Sequence, residues 1–141
     1  MNSKGTLIPI GGNENKGIGT NEKYHTEHIE DSILSRVVME SGGPQAPIVV
    51  IPTASSIPDQ VWENYREAFQ KLGCKNVKVA DIRERSQAES QEYIDMVRNA
   101  KCVMFSGGNQ SEITQKISGT RLHKILTEKH LDGSIVIAGT S

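Results

Sequence analysis

The chain is built from short apolar runs that each end in glycine or hydroxyl residues, with an amphipathic segment between one run and the next. Thr6–Ile10 ends in Gly11-Gly12, and Pro47–Pro52 ends in Thr53-Ala-Ser-Ser56. Lys101–Phe105 ends in Ser106-Gly-Gly-Asn-Gln110, and Ser134–Ala138 ends in Gly139-Thr-Ser141. Asn76–Ala80 is a weaker run of the same kind. Runs of this length, rich in Ile and Val and separated by helical periodicity, read as strands of a mainly parallel sheet with helices on both faces. In such a sheet the strands point one way, so their carboxyl-terminal loops gather along one edge. Ligands bind there, at the point where the strand order reverses. The glycine and hydroxyl clusters are therefore expected to converge.

The intervening segments carry helix punctuation. Glu27–Glu40 aligns Ile29, Ile33, Leu34, Val37 and Val38 on one face and stops at Gly42-Gly43-Pro44. Pro58 suits the first turn of a helix that buries Val61, Tyr65, Ala68, Phe69 and Leu72 and ends at Gly73. Ser86-x-x-Glu89 reads as a capping box for a helix with Tyr93, Ile94 and Val97 inward. Asn109-x-x-Glu112 caps a short helix, and Thr120 opens another with Leu122, Ile125 and Leu126 inward, closed by Gly133. Pro9 is awkward inside the first run, because proline removes a ladder donor and favours sheet edges.

Composition narrows the function classes. A length of 141 residues fits one domain over 1–141, and 4% aromatics leave the core to Ile, Val, Leu and Ala. A net charge of −1 gives no electrostatic case for nucleic acid or an anionic membrane. No segment approaches the roughly 20 apolar residues of a membrane span, and the start runs into a strand rather than a signal peptide. The two cysteines, Cys74 and Cys102, form no CxxC and suggest no disulfide framework, so a cytoplasmic setting is expected. Cys102, within an apolar run, reads as a small buried hydrophobe.

Ser141 is the first candidate for chemistry. A buried strand delivering a serine into a sharp turn is the front half of a nucleophile elbow, Gly-x-Ser-x-Gly. A serine hydroxyl needs a base and oxyanion donors before it attacks a carbonyl. The paired Gly107 and Gly108 let backbone N–H groups approach a substrate closely and supply half of an oxyanion hole, or else they form a tight turn. Gln110, just beyond, carries an amide that both donates and accepts. Thr53–Ser56 reads as a helix cap before it reads as an anion site. Gly11–Gly19 has neither the P-loop ending nor Gly-x-Gly-x-x-Gly, and more simply shapes one wall of the site than holds a nucleotide. His25-x-x-His28 lacks the His-Glu-x-x-His pattern, and His123 and His130 lie on an amphipathic helix. No metal site and no general base for Ser141 is read from them.

Four motifs in register resemble the cyanophycinases, serine peptidases related to the aspartyl dipeptidases. They are Gly5-Thr-Leu-Ile-Pro-Ile-Gly-Gly12 with Glu14 and Lys16, Ile51-Pro-Thr-Ala-Ser-Ser56, Met104-Phe-Ser-Gly-Gly-Asn-Gln110 and Ile137-Ala-Gly-Thr-Ser141. The resemblance spans the whole chain and the amino-terminal half of the family's domain. It implies a flavodoxin-like sheet shared with class I glutamine amidotransferases, here stopping after the fifth strand. It implies Ser141 as nucleophile, the N–H of Gly107 or Gly108 in the oxyanion hole, and Gln110, with Asn109 beside it, on the substrate. Asn109 stands where the family usually has aspartate, and Asn13 where it usually has alanine. The implied substrate is cyanophycin, a poly-aspartate carrying arginine on each β-carboxyl, cleaved to β-Asp-Arg dipeptides without a metal or organic cofactor. The family's triad histidine and acid lie after the elbow. Activity therefore asks for a longer chain or a complementing second chain, and an exposed sheet edge suggests a homodimer. The competing reading is a non-catalytic flavodoxin-like module that binds a small anion at the strand ends; a nucleotide-binding regulator is a third.

Overall fold

The computed structural model describes residues 6–10 and 32–140, with side chains over 32–139. Five strands form one sheet: β1 (Thr6–Ile10), β2 (Ile48–Ile51), β3 (Val77–Val79), β4 (Cys102–Phe105) and β5 (Val136–Thr140). Helical backbone covers residues 32–40 (α1), followed by α2 (Pro58–Lys71), α3 (Gln91–Asn99), α4 (Gln110–Lys116) and α5 (Arg121–Leu131). A 3-10 turn at Arg85–Glu89 precedes α3. All neighbouring strands are parallel, in the order β1-β5-β4-β2-β3. Counted from β2, the first four strands follow the flavodoxin-like order 2-1-3-4, and β1 takes the fifth place beside β5. Among the described residues Pro9 thus sits on an edge strand, paired on the β5 side alone.

The period of two along each strand splits the core into two layers. Ile48, Val50, Cys102, Met104, Val136 and Ala138 pack with Leu34 and Val37 of α1 and Tyr65 and Phe69 of α2. Their neighbours Val49, Ile51, Val103 and Ile135 pack on the opposite face with Val97 of α3 and Leu122 and Leu126 of α5. Both sheet faces are therefore covered, which is why these strands read as continuous apolar runs rather than alternating ones. Cys102 is fully buried, and that burial pushes its thiol up to about 12. No helix among the described residues is long and apolar enough to cross a membrane.

Helix ends follow local chemistry. Pro58 occupies the first turn of α2. The helix closes where Gly73, at φ +86°, lets its own N–H reach Gln70 O and the Cys74 N–H reach Phe69 O. Asn109 and Thr120 cap α4 and α5 through bonds from the N–H groups of Ser111 and His123. The expected box at Ser86 is not the start of α3. Gln87 Oε1 takes the N–H groups of Arg83 and Glu84, which closes the 3-10 turn, and Ser90 then caps α3 through the Tyr93 N–H. The first helix is described only from residue 32, so His25, His28 and the loop Gly11–Gly19 lie outside the described residues.

Candidate active site

The strand order reverses between β2 and β4: β3 lies to one side of β2, while β4 and then β5 continue on the other. The crevice at this switch point is bounded by the loops after β2 and β4. They are joined backbone to backbone. Ser106 N–H donates to Ile51 O at 3.2 Å, and Asn109 N–H donates to Ala54 O at 2.8 Å. The loop after β3 is tied in as well, because the buried Thr53 Oγ1 donates to Ile82 O at 2.9 Å. Ser55 Oγ accepts the Ile57 N–H at 3.0 Å ahead of α2. Neither hydroxyl caps α2, whose N-cap is Ile57 with no side-chain bond; Thr53 instead ties the loop to the one after β3, and Ser55 serves the turn ahead of the helix.

The two glycines differ. Gly108 has φ +139°, and a Cβ there would stand 2.2 Å from Ala54 O and 2.6 Å from Ala54 C. Only a residue without a side chain permits that approach. Neither the Gly107 nor the Gly108 N–H has a hydrogen-bond partner among the described residues. Gly107 is half-buried and Gly108 is exposed. Asn109 turns inward on the helix: its Oδ1 accepts from Ser111 N–H at 3.0 Å and Ser111 Oγ at 2.7 Å. Gln110 begins α4 with its side chain exposed and unpaired among the described residues.

β5 runs beside β4 with Phe105 opposite Gly139, and it is described to Thr140. Ser141, the next residue, lies outside the described residues. The described histidines supply no base at this crevice. His123 Nδ1 accepts the Gly119 N–H at 2.9 Å at the start of α5, and His130 lies in the last turn of that helix. No group of three or more His, Cys, Asp or Glu residues is placed to hold a metal among the described residues. Two participants escaped the sequence reading. The Ala54 carbonyl anchors the glycine turn, and Ser106 is buried with an Oγ that has no partner among the described residues. Both stand inside the motifs read from the sequence, Ala54 in Ile51–Ser56 and Ser106 in Met104–Gln110, but nothing there singles out either contact.

The model of peptidase family S51 matches residues 17–141. The chain is similar to the cyanophycinase of Geminocystis herdmanii, 30% identical over 123 residues that make up 87% of this chain and 44% of that protein. It is similar also to the cyanophycinase of Trichormus variabilis, 30% identical over 139 residues, 99% of this chain and 43% of that one. It therefore spans less than half the length of these curated relatives. The crystal structure of a peptidase from an acI-B1 actinobacterium shares the fold, with a TM-score of 0.69 at 24% identity over 98% of this chain and 54% of that chain. The family match runs without a break through both crevice loops and to the end of β5, and on it the chain belongs to peptidase family S51.

Proposed function

We propose that this chain contributes the nucleophile and oxyanion-hole side of a serine peptidase that hydrolyses cyanophycin or β-aspartyl peptides. The observation that carries the reading is the pair of unpartnered N–H groups of Gly107 and Gly108, held at the switch point beside the strand that leads to Ser141. In the proposed mechanism Ser141 Oγ attacks the scissile carbonyl carbon and its proton passes to a base. The carbonyl oxygen becomes an oxyanion and takes hydrogen bonds from a glycine N–H. Collapse of that intermediate expels the amine, and water releases the acyl group. Gln110, exposed at the mouth of the crevice, would hold the substrate's peptide or carboxylate group. Asn109 would contribute through its Nδ2 alone, because its Oδ1 is committed to the cap. The base and its acid partner are assigned to sequence beyond this chain, in keeping with the length of the relatives.

The names of the relatives support the substrate class, and the family supports peptide-bond hydrolysis. The anion-binding alternative loses the Thr53 hydroxyl, whose proton is donated to Ile82 O, and keeps only that of Ser55, whose Oγ accepts the Ile57 N–H. The test is Ser141→Ala in the full-length protein. Dipeptide release from cyanophycin should fall by at least about a thousandfold, the scale of losing a triad nucleophile, and labelling by a serine-directed phosphonate should vanish. Hydrolysis that survives the substitution would refute the nucleophile, and an active enzyme indifferent to cyanophycin and β-aspartyl peptides would refute the substrate.

A further inference from the structure

α4 has little of its own to keep it folded. It is seven residues long, and none of its side chains is buried. Ile113 is the one half-buried apolar side chain that it sets against the core. A helix of about two turns is marginal in water, because so few hydrogen bonds do not offset the cost of nucleation. It therefore depends on its two ends. The front is fixed at the crevice, where Asn109 N–H donates to Ala54 O at 2.8 Å and Asn109 Oδ1 accepts the Ser111 N–H at 3.0 Å.

The rear is held from a distant part of the chain. Arg85 opens the 3-10 turn after β3, and its guanidinium forks over the carbonyl end of α4. Nη1 donates to Gln115 O at 2.9 Å and Nη2 to Ser118 O at 2.7 Å, partners 30 and 33 residues away. Gln115 O is one of the last carbonyls, which a helix leaves without an internal partner, and Ser118 O belongs to the turn that follows. Both bonds are charge-assisted, the stronger class of hydrogen bond. Gly119 makes room for the approach: its φ is +81°, and a Cβ there would stand 3.2 Å from Arg85 Nη2. The base of the arginine is firm, because Ile82 and Ala88 on either side are fully buried. Arg85 has no carboxylate partner among the described residues, so its fork is committed to α4.

We propose that Arg85 is a positioning residue of the crevice mouth: its guanidinium clamps the carbonyl end of α4 and so holds Gln110, the first residue of that helix, in place to receive substrate. Helix formation is cooperative, so a helix of about two turns does not lose its last turn and keep its first. Release of the clamp therefore reaches Gln110, although Arg85 itself bonds only to backbone. The inference rests on the reading of Gln110 as a substrate contact.

The experiment is a double-mutant cycle in the full-length protein, with Arg85→Ala, Gln110→Ala and the pair, and Arg85→Lys beside them. Arg85→Ala should raise KM for cyanophycin about 5- to 15-fold, the scale of one lost hydrogen bond to substrate. Its kcat should stay within about twofold, as expected when binding common to ground and transition states is removed. Gln110→Ala should raise KM by a similar factor, and Arg85→Ala should add almost nothing to it, because both remove one interaction. Lysine lacks the planar fork and reaches a single carbonyl, so Arg85→Lys should fall between wild type and Arg85→Ala. Amide hydrogen exchange over residues 114–117 should quicken in Arg85→Ala while that of α2 stays as in wild type, which separates a released helix from a poorly folded protein. Should the alanine variant unfold, Arg85→Lys takes its place in the cycle. Unchanged KM or unchanged exchange in α4, a loss confined to kcat, or full additivity with Gln110→Ala would overturn the inference. If Gln110→Ala itself leaves KM unchanged, the underlying reading fails with it; if Gln110→Ala raises KM and Arg85→Ala does not, only the role of Arg85 is lost.

Discussion

Gly108→Ala tests whether the crevice is held by backbone contact. The new Cβ would stand 2.2 Å from Ala54 O, well inside any real carbon–oxygen contact, and φ there is +139°. A backbone angle foreign to L-residues costs about 1–2 kcal/mol. Relieving the clash requires the two loops to part, which breaks the 2.8 Å bond from Asn109 N–H to Ala54 O and removes about 1 kcal/mol more. The expected loss is thus about 2–3 kcal/mol, the backbone cost and the lost hydrogen bond together. Gly43→Ala is the matched control. Gly43 also has a positive φ, +103°, but a Cβ there meets nothing within 4 Å, so only the backbone cost of about 1–2 kcal/mol applies. Urea unfolding of both variants in the full-length protein, followed by circular dichroism, separates the terms. Gly108→Ala should be the less stable by at least about 1 kcal/mol and should lose hydrolysis, whereas Gly43→Ala should keep it. Equal destabilisation of the two would refute the claim that the loops are locked backbone to backbone.

Two further outcomes follow from the same coordinates. Thr53→Val removes the bond to Ile82 O and strands a carbonyl, so stability should fall by about 1–3 kcal/mol; denaturant titration checks this, and a neutral result would mean that water reaches Ile82 O. Burial pushes the Cys102 thiol up to about 12 from an ordinary value of 9.0. The unfolded chain releases its proton first, so the contribution of the neutral thiol is complete below about pH 9 and is lost as pH rises toward 12. Cys102→Ala should flatten that part of the stability profile, and a profile unchanged by the substitution would remove the thiol as its cause.

How much of this was legible in the sequence depended on the range of the interaction. Pro9 announced an edge strand, because one missing donor is a local fact, and the structure puts β1 at an edge. Pro58 and Gly73 bounded α2 for the same reason. The cap at Ser86 misled because Ser86 and Ser90 offer the same hydroxyl four residues apart. The choice fell to Gln87, whose side chain closes the intervening 3-10 turn from behind. Thr53 and Ile82 meet from the loops after two different strands, and no periodicity encodes such a pair. Gly107 and Gly108 look interchangeable in the sequence. Only the approach of Ala54 distinguishes the glycine that must be there from its neighbour. The convergence of the β2 and β4 loops was legible, because it follows from parallel strands alone.

The position of β1 carries a consequence for how the chain assembles. It comes first along the chain among the described strands, yet its partner is β5, the fifth. β2, β3 and β4 find their neighbours early, whereas β1 must wait, an apolar segment without a mate, until the strand leading to Ser141 exists. Contacts so distant along the chain form slowly. Docking of β1 and completion of β5 are thereby one late event, and a molecule caught before it would already hold the loops after β2 and β4 joined while the β1 side of the sheet stayed open.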